Sequence, residues 1–158
     1  MKRSAGLLLF RRRDGRTEVL IGHMGGPLFA RKDAGAWTVP KGEYGDGEAP
    51  WDAARREFQE ELGLEPPEGE ALALGEVRQA GGKLVTVWAV EADLDLAAFA
   101  PGTFRMEWPP RSGRVQEFPE LDRVAWYGLE EARGLVVPAQ AAFLDRLAEH
   151  PSPEGGRP

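Results

Sequence analysis

Apolar positions along the chain fall into short runs of strand length, interrupted once by a stripe of helical period. The runs Ala5–Phe10 and Glu18–Gly22 flank the polar tetrapeptide Arg13-Asp14-Gly15-Arg16, a layout that predicts a β-hairpin. Trp37–Val39 predicts a short strand that delivers the chain into Pro40-Lys41-Gly42 and a glycine-rich loop ending at Gly47. Pro50 suits the first turn of a helix, and Ala54, Phe58 and Leu62 then recur at i, i+4 and i+8, so an amphipathic helix is expected to about Leu62. Glu65–Gly69, with Pro66-Pro67, breaks it.

Leu72–Gln79 and Lys83–Glu91 read as a strand pair joined through Gly81-Gly82. In the second, Leu84, Val85, Val87, Trp88 and Val90 make a nearly continuous apolar run, the pattern of a strand buried on both faces. Asp93–Pro101 carries no clear pattern, and Thr103–Arg114, aromatic and basic around Pro109-Pro110, reads as a loop. Arg123–Tyr127 reads as a last strand and Leu129–Arg133 as a helical turn. Pro138–His150 reads as an amphipathic helix packing through Ala142, Phe143, Leu144 and Leu147, and residues 151–158 as a disordered tail. Strands of mixed order with one helix mid-chain and one at the end predict an α/β fold, a sheet between helices, in one domain over residues 1–150.

Composition narrows the chemistry. A net charge of −6 disfavours nucleic acid and anionic membranes as partners, so a polyanionic substrate would need a local basic patch or a metal ion. The chain has no Cys, which excludes disulfides, thiol catalysis and cysteine-held zinc, and fits a reducing cytoplasm as the expected location. The apolar run after Met1-Lys2-Arg3 is too short for a leader and ends in Arg11-Arg12-Arg13, so a strand is the better reading.

The helix itself carries the strongest chemical signal. Glu57, Glu60 and Glu61 lie at i, i+3 and i+4 and crowd one face, where like charges repel by roughly 0.2–0.5 kcal/mol per pair. They also sit in the last turns before Gly63, at the negative end of the helix dipole. Stability alone does not place three acids there. A hard divalent cation does, because Mg²⁺ takes oxygen ligands shared between carboxylates and substrate phosphates.

Gly42, Glu48, Arg56, Glu57, Phe58, Glu60, Glu61, Gly63 and Leu64 together resemble the Nudix box, with every position of the motif filled. The resemblance implies an α/β/α sandwich around a mixed sheet, and hydrolysis of a phosphoanhydride in a nucleoside diphosphate-X or dinucleoside polyphosphate with Mg²⁺ or Mn²⁺. It implies Glu57, Glu60 and Glu61 as metal ligands, joined by the carbonyl of Lys41. Arg56 and Glu48 would pair to hold a carboxylate in place. Families within the fold take the catalytic base from different places. Glu57 is one candidate, and Glu117 and Glu120, in the segment before the last strand, are others, with Glu117 favoured. Glu57, Glu61 and Glu117 are thus the expected catalytic residues.

Pro40-Lys41-Gly42 resembles the Pro-Lys-Gly of diadenosine polyphosphate hydrolases, but Gln79-Ala80-Gly81-Gly82 lacks the Tyr expected of those enzymes and the Pro expected of ADP-ribose enzymes. The stretch Met106–Gly113 is closer to bacterial Nudix proteins of unassigned substrate. Arg105, Trp108, Arg111 and Arg114 are the expected substrate-binding residues, the ring stacking on a base and the guanidinium groups pairing with phosphates. Oxidised triphosphates, RNA 5′ pyrophosphates and inositol pyrophosphates stand as alternative substrates, and a catalytically silent nucleotide sensor as the alternative from another class. The expected partner is a small nucleotide or pyrophosphate compound, with a homodimer left open. His23 and His150 are isolated and receive no role.

Overall fold

The computed structural model describes residues 2–150. The first two strands, β1 (Arg3–Arg13) and β2 (Arg16–Met24), are joined through Asp14 and Gly15, whose φ values of 51° and 77° suit the tight right-twisted hairpin turn that Asp-Gly favours. β3 (Trp37–Thr38) and β4 (Lys41–Glu43) follow, then α1 (Pro50–Leu62), β5 (Ala71–Arg78) and β6 (Leu84–Glu91). The chain continues through β7 (Thr103–Glu107), β8 (Val115–Pro119), β9 (Leu121–Gly128), α2 (Leu129–Leu135) and α3 (Ala141–Glu149). No helix among the described residues is long and apolar enough to cross a membrane.

The central sheet runs β3-β2-β1-β6-β5, with β4 paired to β1 and β9 to β2. Only β1 and β6 run parallel, so the sheet is mixed. Its two faces are read directly from the alternation along β1. Ala5, Leu7 and Leu9 pack with Ala54, Phe58 and Leu62 of α1, whereas Leu8 and Phe10 pack with Ala132 of α2 and Phe143, Leu144 and Leu147 of α3. Helices therefore cover both faces of one mixed sheet, the sandwich expected from the sequence.

One segment departs from expectation. Thr103–Glu107 is a strand, paired with β8 in a separate two-stranded sheet, and not a loop. Phe104 and Met106 are half-buried while Thr103, Arg105 and Glu107 are exposed, so the strand alternation is present. Pro109-Pro110 lies in the connecting turn and does not break the hairpin. Smaller differences concern ends. β9 begins at Leu121, α2 reaches Leu135, and Pro138–Gln140 forms a 3₁₀ turn before α3. Trp37 is buried, and the half-buried Trp88 meets Trp51 edge-on with ring centroids 5.5 Å apart. The expected tail lies outside the described residues.

Candidate active site

Two elements build the site. α1 ends at Gly63, whose φ of 67° gives the left-handed cap that glycine adopts freely, with its N–H donating to the Gln59 carbonyl at 2.8 Å. β4, pinned to β1 by antiparallel pairing, runs beside the last turns of that helix. The Lys41 N–H donates to Glu61 Oε1 at 3.0 Å, fixing that carboxylate to the strand. Arg56 binds Glu48 through two parallel bonds of 2.7 and 2.8 Å, the pair expected from the sequence. Its Nη1 also reaches Glu57 at 2.9 Å and Glu60 at 3.2 Å, so one guanidinium holds three carboxylates.

Glu57, Glu60, Glu61 and Glu120 line one cleft of about 330 Å³, together with Gly102 and Thr103. Burial pushes the Glu61 carboxyl up to about 8, against the opposing pull of the Lys41 N–H and ammonium. Burial also raises Glu57, opposed by Arg56, and raises Glu120, opposed by Lys41. Lys41 is itself lowered by burial and then by Lys83. By contrast, Glu48 is held below the usual carboxylate range by its bonds to Arg56. The cleft thus concentrates acids whose negative charge is under-compensated, and a divalent cation reverses that imbalance. Among the described residues no three of these acids are already drawn into coordinating positions. Arg56 bonds both Glu57 and Glu60 through Nη1. The donor set fits the ion by chemistry and by shared placement.

The expected residues divide into two groups. Glu57, Glu60 and Glu61 come together at the cleft, with Lys41 bonded to Glu61. Glu117 does not join them. It lies exposed on β8 opposite Arg105, whose Nε is 4.0 Å from its Oε2. Glu120, three residues on and immediately before β9, supplies the downstream acid of the cleft.

Arg105, Trp108, Arg111 and Arg114 all belong to the β7–β8 hairpin, whose first residue, Thr103, lines the cleft. Five residues of strand span about 17 Å, so Trp108 sits that far along the chain from the cleft wall while Arg105 is about 7 Å from it. The hairpin tip is organised by Glu107, a residue to which the sequence drew no attention. Its carboxylate accepts the N–H groups of Arg111 at 3.2 Å and Gly113 at 2.9 Å. This clamp holds Arg111 at a φ of 62°, a conformation uncommon outside glycine. A carboxylate placed just before a turn rich in backbone donors is the signal that would have found it.

The model of the NUDIX domain matches residues 1–147. This chain belongs to the Nudix family. Solved Nudix structures share its fold across nearly the whole length. An Ap4A hydrolase binary complex from C. elegans is 23% identical, covering 94% of this chain and 96% of that one, with a TM-score of 0.64. The NUDIX domain of Shewanella oneidensis NrtR, complexed with ADP ribose, is 13% identical over 93% and 86% of the two chains, with a TM-score of 0.61. RenU, a Nudix hydrolase from M. smegmatis, is 24% identical over 92% and 83%, with a TM-score of 0.57. At these identities the likeness speaks to fold. No curated protein matches the chain significantly. Membership makes the protein a Nudix hydrolase, an enzyme of pyrophosphate-bond hydrolysis in a family that generally depends on divalent metal.

Proposed function

We propose that this Nudix hydrolase cleaves the phosphoanhydride of a nucleoside diphosphate-X or dinucleoside polyphosphate, using Mg²⁺ or Mn²⁺ held by Glu57, Glu60, Glu61 and the Lys41 carbonyl. The supporting observation is that these three helix carboxylates share one cleft with Glu120. When bound, the cation supplies charge neutralisation for the pyrophosphate oxygens and a more acidic water. Arg56, anchored by Glu48, keeps Glu57 and Glu60 aimed into the cleft. Glu120 takes the proton as the water oxygen bonds to phosphorus and the bridging P–O bond breaks. Partial burial raises the Glu120 carboxyl above its ordinary value, the direction that suits a general base. Glu120 replaces Glu117 in this role.

Arg105, Trp108, Arg111 and Arg114 bind the substrate beyond the scissile bond, Arg105 nearest the cleft and the others on the tip. A dinucleoside polyphosphate is long enough to engage both. The reading takes residues 1–150 as one catalytic unit working in the cytoplasm. Its test is a panel of diadenosine polyphosphates, ADP-ribose, oxidised triphosphates, 5′-triphosphorylated RNA and inositol pyrophosphates, each with Mg²⁺ and with Mn²⁺. Metal-dependent release of products from one of the first two classes is expected. Tight metal-dependent binding with no product from any compound favours the sensor instead.

A further inference from the structure

His23 is fully buried near the end of β2, yet both its ring nitrogens meet oxygen. Nδ1 lies 2.9 Å from Asp122 Oδ1, and Nε2 lies 2.7 Å from the Lys32 carbonyl oxygen. A carboxylate oxygen and a carbonyl oxygen thus flank the ring, one at each nitrogen. The ring edge also packs on Trp37, with centroids 5.3 Å apart. A buried polar contact of this kind is costly to break from one side.

Asp122 occupies a special position. β2 and β9 pair in step from Glu18↔Gly128 to His23↔Arg123, and the next pair is Met24↔Leu121. Asp122 is therefore the extra residue of a β-bulge, a feature that re-aims the side chains beyond it. Along an unbroken strand Leu121 would face away from Val124 and Trp126, since the side-chain period is two. With the bulge, Leu121 buries with both on the α1 face. The residue immediately before Leu121 is Glu120. Its carbonyl accepts the Gly25 N–H at 3.0 Å, and its own N–H donates to the Gly102 carbonyl at 2.8 Å. A Cβ on Gly25 would overlap the Pro119 carbonyl, so the two segments are in close contact.

We propose that the His23–Asp122 pair locks this bulge and so positions Glu120 in the cleft. Loss of the grip lets β9 slip towards regular pairing, which turns Leu121 off the α1 layer and draws Glu120 from its two backbone bonds. The catalytic consequence rests on Glu120 being the base. His23 touches no reacting atom and is a positioning residue.

Asp122→Ala in the full chain tests the lock without opening a hole in the core, since the Asp122 side chain is 30% exposed, and His23→Gln removes the other partner. Amide hydrogen exchange should lose protection at Gly25 by on the order of tenfold or more, while Ile21 and Leu8 keep theirs. With Mg²⁺ and diadenosine tetraphosphate or ADP-ribose, kcat should fall by up to about 10²-fold with KM little changed, the size of effect that slight misplacement produces. In a Glu120→Gln background the same substitution should cost nothing further. Unchanged Gly25 exchange, or protection lost equally across the whole sheet, overturns the lock. Full additivity with Glu120→Gln overturns the positioning role. Normal turnover by Glu120→Gln alone overturns the base assignment, and the exchange result then decides the lock by itself.

Discussion

A Cβ built on Gly42 would overlap the carboxylate of Glu57. The glycine is required there by close approach, because its backbone is not left-handed. From the other side Arg56 holds the same carboxylate at 2.9 Å. Gly42→Ala should therefore push Glu57 out of place while leaving the sheet and α1 folded. Calorimetry should show Mg²⁺ or Mn²⁺ affinity weakened by about 10–100-fold, the usual range for losing a ligand's support. Unaltered metal binding in Gly42→Ala would remove Glu57 from the ligand set.

The raised acids of the cleft make the metal-free protein sensitive to alkali. Glu61 is raised from the ordinary 4.5 to about 8, and Glu57 and Glu120 are raised in the same direction. The folded state then holds more protons than the unfolded chain in that interval, so stability falls as pH rises. It is fully present below about 4.5 and lost through about 8. Lys41, lowered from 10.5, contributes the opposite slope in the window between its lowered value and 10.5. In EDTA the melting temperature should decline between pH 5 and 8, and Glu61→Gln should flatten the decline. Saturating Mg²⁺ should flatten it too, because the cation favours the ionised acids. A metal-free melting temperature that does not fall over this range, or falls as steeply in Glu61→Gln, contradicts the assignment.

Much of this arrangement was legible in the sequence because the site is built on elements with strong local signals. Phe58 and Leu62 fix the buried face of α1, which leaves Glu57, Glu60 and Glu61 no choice but the neighbouring face. Glu48 and Arg56 sit at a spacing that a glycine loop and one helical turn close. What escaped depends on register between distant segments. Glu117 and Glu120 are both loop-like acids in sequence, and what distinguishes Glu120, its backbone bonds to Gly25 and Gly102 beside the bulge at Asp122, is set by pairing between distant segments. His23 is silent in sequence because its partners, Lys32 and Asp122, lie 9 and 99 residues away. The β7–β8 hairpin was hidden by Pro109-Pro110, which reads as a break until both flanking strands are seen to pair.

Glu120→Gln and Glu117→Gln should separate cleanly. The first removes a carboxylate that shares the cleft with the three helix acids, and kcat should drop by roughly 10²–10⁴-fold, the range for a lost general base. Metal affinity should change far less than in Glu57→Gln. Glu117, exposed and facing only Arg105, should give near-normal kcat when neutralised. The reverse pattern would return the base to Glu117. If neither substitution matters, the base belongs to the box, with Glu57 the first candidate.

The arginines of the hairpin should grade with distance from the cleft. Arg105 stands two residues from Thr103, which lines the cleft, whereas Arg111 and Arg114 lie on the tip held by Glu107. On the proposed reading the Arg105 guanidinium meets phosphates near the scissile bond, so Arg105→Ala should raise KM for every pyrophosphate substrate. Arg111→Ala and Arg114→Ala should raise KM for dinucleoside polyphosphates and leave it unchanged for ADP-ribose or shorter compounds. In all three kcat should change little, the signature of contacts made equally in the ground and transition states. The Arg105 ion pair with Glu117 is long and exposed, worth at most about 1 kcal/mol, so melting temperatures should barely move. Steady-state kinetics of the three variants on a long and a short substrate measures the gradient. Equal KM values for wild type and all three would place these side chains in solvent and look for the nucleotide elsewhere along the cleft.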